Sequence, residues 1–283
     1  MAEVWRQLTP AMAVYGAGRE LALSESLLQN VQHPALWWYS AHVPALILGT
    51  AQKPAILDNT ACSEQNLEIY KRASGGALVL AEPSFLSLDV ALPPEHPLAP
   101  TDVVETYHWL GEVWLESLSK LGLVGARLAK VTEVREQRTA RDSEIEQERE
   151  DYRLANLICF GTLSPYEVVS EEGLKLVGLS QIRRRVGTLL QCGLPLQKQS
   201  GRLVESLALE TSEKTRLAQL LDTRMTALEF DVDERKFKPE EILSAFEETL
   251  AQKHNIILTE SVWTEAELAQ AHELETGKYQ RLM

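Results

Sequence analysis

A thiol, a lysine and a turn of bare backbone occur in two short stretches about a hundred residues apart. The first is Lys71-Arg72-Ala73-Ser74-Gly75-Gly76-Ala77-Leu78-Val79-Leu80. The second runs from Cys159-Phe160 through Tyr166-Glu167 and Gly173-Leu174-Lys175-Leu176-Val177-Gly178-Leu179-Ser180-Gln181 to Arg183-Arg184-Arg185. Ser74-Gly75-Gly76 permits a tight turn with positive φ. Its amides could meet a carbonyl, a carboxylate or a phosphate, and Arg72 adds a planar donor fork. The same residues also suit a plain turn between strands. Cys159 lies in a Leu-Ile-Cys-Phe run, where a buried, inert thiol is the ordinary reading. Lys175 changes that reading. If residues 157–160 and 174–178 are neighbouring strands, its ammonium approaches the thiol and favours the thiolate, which can then attack a thioester carbonyl. On its own, Lys175 reads as a strand-edge charge.

The bulk properties bound the rest. The chain has 283 residues, 45% of them apolar, enough for a full core. The formal net charge of −13 argues against a general nucleic-acid binder. Basic residues do gather at Lys71-Arg72 and at Arg183 to Arg185, which suits a small anionic group, an acidic protein partner or a solvated surface. No apolar run has the length of a membrane span, and the start Met1-Ala2-Glu3-Val4-Trp5-Arg6 has no secretory pattern. Cys62, Cys159 and Cys192 form neither a metal-ligand spacing nor an even disulfide set, so no metal site and a cytoplasmic location are expected.

Periodicity supplies the elements that must position these groups. Residues 10–31 read as an amphipathic helix, 35–39 and 45–49 as strands, 61–69 as a helix, and 77–80 and 87–92 as strands. The prolines of residues 93–100 mark a loop, and Thr101-Asp102 caps a helix that Gly122 ends. Residues 133–151 are crowded with both charges and read as a solvated connection, a short exposed helix or a lid beside Cys159. Strand-like runs follow at 155–160, 168–169, 174–178 and 187–191. From about residue 200 the pattern is helical, with Pro239 opening one helix, a short strand at 256–258, and a last helix at Thr264 with Glu267 as a capping box. Strands and helices come in runs, which favours α+β.

Residues 71–82 resemble the arginine-glycine loop of the biotin/lipoate protein ligase catalytic-domain family, and residues 173–181 resemble its lysine loop with a Gly-x-Ser/Ala-Gln stretch. Ala22-Leu23-Ser24-Glu25 and Glu275-Thr276-Gly277-Lys278-Tyr279 also match, so the likeness covers nearly the whole chain. The resemblance implies an α+β fold, a central mixed or largely antiparallel sheet flanked by helices, as a single catalytic domain over 1–283 without a C-terminal accessory domain. Cys159-Phe160 ahead of the lysine loop resembles the acyl-carrier-protein-dependent octanoyltransferase (lipoate-protein ligase A-like) branch of Gram-positive type. That implies Cys159 as nucleophile, Lys175 at the acyl carbonyl, and Arg72, Ser74, Gly75, Gly76, Gly178, Ser180 and Gln181 around the ligand. It also implies acyl carrier protein as donor, a lipoyl domain as acceptor (glycine cleavage H protein or 2-oxoacid dehydrogenase E2), and no cofactor. An ATP-dependent lipoate-protein ligase, using ATP and Mg, and a non-catalytic carrier-binding homologue are the alternatives.

Three departures stand out. Ala81-Glu82 replaces the family's His-Asp, Cys192-Gly193 its His-Gly, and Leu86-Ser87-Leu88-Asp89 its Asn/Thr-Tyr-Ser stretch. The lost histidines imply an altered donor, a different general base or lost activity. Cys192 is either a second candidate thiol or a structural residue in a Leu-Leu-Gln-Cys run.

Overall fold

Side chains alternate along Phe85-Leu86-Ser87-Leu88-Asp89-Val90-Ala91-Leu92, and the molecule is organised around that alternation. The computed structural model describes residues 2–10, 13–29, 31–231 and 235–282. Its strands are β1 (Glu3–Leu8), β2 (Ala13–Tyr15), β3 (Ala35–Ala41), β4 (Ala45–Leu48), β5 (Glu68–Lys71), β6 (Val79–Ala81), β7 (Phe85–Leu92), β8 (Arg127–Leu128), β9 (Val168–Val169), β10 (Lys175–Arg184), β11 (Gly187–Pro195) and β12 (Ile256–Ser261). The main sheet runs β12-β1-β3-β7-β11-β10-β9-β8, with β2 beside β3. It is mixed: β1 pairs in parallel with β12 and β3, whereas β3, β7, β11 and β10 are antiparallel. A second sheet, β5-β4-β6, is separate.

Among the described residues ten helices accompany the sheets: α1 (Ala17–Ser26), α2 (Asn59–Glu64), α3 (Glu105–Lys120), α4 (Val131–Thr139), α5 (Glu146–Ala155), α6 (Ser200–Glu205), α7 (Thr211–Asp222), α8 (Leu228–Asp231), α9 (Pro239–His254) and α10 (Glu265–Gly277). Leu86, Leu88, Val90 and Leu92 point to the face covered by α3 and α9, where Trp38, Trp114 and Phe246 meet edge-on or tilted at 4.8–5.7 Å. Phe85, Ala91, Trp37 and Tyr39 point to the other face, packed under α1 and the small sheet. Ser87 and Asp89 share that second face by alternation, so only one side of the sheet is uniformly apolar.

The expected α+β class is observed, with several local differences. Residues 155–160 are not a strand: α5 ends at Ala155 and Cys159–Gly161 is a 3-10 turn, joined to the small sheet by one parallel bridge, Leu78↔Ile158. Helix α2 stops at Glu64 because Asn66 takes φ 53°, which frees 68–71 to pair with β4. The first helix is confined to Ala17–Ser26, with residues 13–15 pairing with β3; positions 11, 12 and 30 of the expected span lie outside the described residues. Of the readings open for the charged stretch 133–151, the exposed helix is the one observed, as two helices, α4 and α5, rather than a solvated connection. The expected capping box is present: Thr264 Oγ1 accepts from Glu267 N at 3.2 Å, and Glu267 accepts from Thr264 N at 2.8 Å.

The two family-like termini meet. Glu25 in α1 receives Lys278 Nζ at 2.6 Å, the Tyr279 hydroxyl and Arg184 from the β10–β11 hairpin. Burial pushes its carboxyl up, but these three donors outweigh it and hold Glu25 below its ordinary value. Among the described residues no helix is long and apolar enough to cross a membrane.

Close packing fixes the glycine turn. A Cβ on Gly49 would fall 1.8 Å from the carbonyl oxygen of Gly76, so the end of β4 seats directly against that turn. Gly49→Ala is expected to cost about 2 kcal/mol or more through overpacking, read as a lower urea midpoint at unchanged m.

Candidate active site

Cys159 stands where two cavities join. One is a narrow slot of about 80 Å³ between the main sheet, α1 and the small sheet; Ala17, Leu21, Ile47, Val79 and Phe85 give it apolar walls. The other is a wider, more polar groove of about 490 Å³. Cys159, Arg72 and Ser180 line both. Gly178 lines the slot, and Gly75, Gly76, Lys175 and Gln181 line the groove. Ser74 lines neither cavity: it is 1% exposed and its hydroxyl is buried without a partner. The structure thus gathers every residue of the expected set except Ser74 around one thiol.

The turn is held open by what is absent from Gly76. With φ 96°, its missing Cβ would sit 2.6 Å from Arg72 Nη2 and 4.0 Å from Cys159 Sγ. Arg72 shapes the loop by donating from Nε to Gly75 O at 3.2 Å and from Nη2 to Ala77 O at 3.0 Å. Gln52, also in the groove, accepts from Gly49 N at 3.1 Å and donates to Leu157 O at 3.0 Å, tying the end of β4 to the cysteine turn.

Lys175 meets Cys159, but by a different route from adjacent strands. It is 2% exposed, and its ammonium donates to the Cys159 carbonyl at 2.9 Å and the Thr162 carbonyl at 3.2 Å. The third contact is Glu167 Oε1 at 2.8 Å. All three N–H groups are therefore engaged, and the contact to Cys159 is to its backbone. The Phe160 ring lies 5.2 Å from the nitrogen.

Glu167 was quoted in the sequence motif without a role. It is 1% exposed and also accepts the backbone N–H of Leu179 at 3.0 Å and of Ser164 at 2.7 Å. Burial pushes its carboxyl above the ordinary value against the pull of Lys175. Nothing in periodicity distinguishes this glutamate from a surface one; only its placement does.

The arginine cluster does something else. Arg183 donates to the carbonyls of Pro100, at 2.6 Å, and Asp102 and to Thr106, and Arg184 to Glu25. These bonds pin the hairpin, and neither side chain lines the slot or the groove. The wall opposite the glycine turn comes instead from the charged stretch: Gln137 and Arg138 of α4 and Tyr152 and Asn156 at α5. Cys192 borders the slot but packs in the opposite core, 5% exposed, and burial pushes its thiol far up. It is a structural residue. Among the described residues, no three of His, Cys, Asp and Glu are gathered to hold a metal ion.

Residues 17–251 match the family model of the lipoyl protein ligase A/B catalytic domain. The chain is 29% identical to an octanoyltransferase LipM of Brevibacillus brevis, over 98% of this chain and 96% of that one. It is 28% identical to an octanoyltransferase LipM of Geobacillus kaustophilus over the same shares. In fold it resembles a bi-partite lipoate protein ligase of Thermoplasma acidophilum, solved with its E2 lipoyl domain: TM-score 0.73, 17% identity, 98% of this chain and 93% of that one. A lipoate-protein ligase A bound with ATP gives a TM-score of 0.69 at 17% identity, over 98% and 95%.

The buried pair predicts a non-additive stability. Glu167→Gln leaves an unpaired buried ammonium and is expected to cost about 3 kcal/mol. Adding Lys175→Met should return part of that loss in denaturant melts, and additive losses would exclude the pairing. A second test concerns two buried carboxyls, one lining the slot and one beneath it, because burial pushes Glu20 up to about 8 and Asp89 up to about 7. Both are raised, so the folded state holds their protons more tightly, and the stability this gives is complete below pH 4 and lost as pH rises through 7 to 8. Wild-type Tm should fall across that window, and Glu20→Gln and Asp89→Asn should flatten the fall.

Proposed function

This chain belongs to the lipoyl protein ligase A/B catalytic-domain family, and we propose that it carries an octanoyl group from acyl carrier protein, through a thioester on Cys159, to a lysine of a lipoyl-domain protein. The activity class is acyl transfer in protein lipoylation, that of the octanoyltransferases it matches over nearly its whole length. The observation that carries the finer reading is the position of Cys159 between an apolar slot and a polar groove. A tail in the slot and a pantetheine arm in the groove bring a thioester carbonyl to the sulfur.

The steps balance without a nucleotide. The Cys159 thiolate adds to the acyl carbon, the bond to the carrier sulfur breaks, and the carrier leaves as a thiol with the proton Cys159 gave up. A lipoyl-domain lysine amine then attacks the enzyme thioester, the C–S bond breaks, and the departing sulfur takes the amine's proton as the amide forms. The first step exchanges one thioester for another and the second runs downhill. Lys175 serves the acyl oxygen by exchanging its longest contact, the Thr162 carbonyl at 3.2 Å, for the developing oxyanion. The Arg72 guanidinium and the Gly75-Gly76 turn border the same space. Each buried methylene contributes roughly 0.8 kcal/mol, so the tail binds with several kcal/mol.

Intact-mass measurement after incubation with octanoyl acyl carrier protein tests the relay. Wild type should gain one octanoyl adduct, Cys159→Ser none, and a lipoyl domain should discharge it. An unchanged transfer rate in Cys159→Ser overturns the thioester route. Acylation of a lipoyl domain from octanoate with ATP and magnesium, but not from the carrier, would establish the ligase alternative.

A further inference from the structure

The slot is not a hydrocarbon sleeve along its whole length. Two cross-strand rows run beneath it, one of Gly178, Gly193, Ser87 and Tyr39, the other of Ser180, Gln191, Asp89 and Trp37, of which Asp89 and Trp37 stay behind the lining. Near Cys159 the first row is bare glycine, and a Cβ on Gly193 would strike the Phe85 ring at 2.4 Å. Beyond it the lining becomes polar: Glu20, Tyr39, Ser87 and Gln191. Strands lie about 4.8 Å apart, which places Ser87 about 10 Å from β10. An extended chain advances roughly 3.5 Å per three bonds, so an eight-carbon acyl group ends among these polar groups.

Resting on the reading that this slot holds the acyl tail, we propose that its distal half is built for a chain carrying a hydroxyl on its last carbons rather than a bare methyl end. One buried polar atom on that lining has no protein partner. Gln191 donates from Nε2 to Ser24 Oγ at 3.0 Å, leaving Oε1 buried and unpaired. Asp89, fully buried behind the lining, accepts the Tyr39 hydroxyl on Oδ1 at 3.3 Å and is also held by Ser24 and Gln191. Buried polar groups left unmet are costly, and a methyl end cannot meet them. A hydroxyl both donates and accepts, so it satisfies Gln191 in either amide orientation and the Glu20 carboxyl in either protonation state. A carboxylate tail would face Glu20 and Asp89, and an ammonium would have to shed its water.

Calorimetric titration of the wild-type chain at pH 7 with octanoate and with 8-hydroxyoctanoate tests this without requiring transfer. The hydroxy acid should bind at least tenfold more tightly, as sites built to hydrogen-bond a substrate hydroxyl discriminate against its absence. Gln191→Leu or Ser87→Ala should remove that preference. Equal or tighter binding of octanoate, binding of neither acid, or a preference unchanged in both variants overturns the proposal. A retained preference in a protein that forms no acyl adduct with carrier supports it and counts only against the relay.

Discussion

The site depends on a buried ammonium that must find three acceptors. Lys175 is almost wholly removed from water, and an uncompensated charge there would be prohibitive. Its demands reach across the chain. The carbonyls of Cys159 and Thr162 must turn inward, and Glu167 must come within 2.8 Å. Glu167 in turn holds the amides of Ser164 and Leu179. One side chain thereby fixes the cysteine turn, the loop after it and the middle of β10 relative to each other. The thiol stays accessible because the lysine satisfies itself on the backbone of residue 159 and leaves the sulfur facing the cavities.

The second constraint is the unequal sheet. The α3/α9 face is filled with leucine, valine and tryptophan. The α1 face carries two glycines, a serine and an aspartate in the central strands, and a cavity follows from that shortage of side-chain volume. Gly49 against Gly76 and the Arg72 bonds then seat the glycine turn at its mouth. A cavity made by missing volume in central strands is walled by paired backbone, which suits the proposed task of holding an acyl carbon against one sulfur.

Much of this could be read in the chain. Alternation located β7, β10 and β11, Pro239 and the Thr264–Glu267 box located α9 and α10, and the two motifs located the thiol and lysine. What could not be read were features set by tertiary contacts. Leu157-Ile158-Cys159-Phe160 has the composition of a strand, yet α5 delivers it to Leu78 with room for only one bridge, so it turns. Residues 133–151 look solvated because α4 and α5 bury few side chains, Val134 and Leu154 among them, although other residues there wall the groove. Glu167 and Asp89 are indistinguishable from exposed acids in sequence, since burial of a charge is decided by partners far away in the chain. Ser74 shows the opposite limit: a motif position can lie beneath the site rather than in it.

The missing histidines bear on the chemistry less than they first suggest. Ala81 lines the slot, where a histidine would occupy volume the tail needs. The neighbouring Glu82 is bound to Arg202, Ser84 and Gln199, a latch rather than a base. Thioester relay balances its protons internally, because each departing sulfur takes the proton that the incoming nucleophile gives up. A histidine would speed such transfers, but the bonds made and broken do not require one. What the proposed relay could not lose is a positive group beside the acyl oxygen, and Lys175, buried at the groove and held by a carboxylate, is the group this chain offers for it.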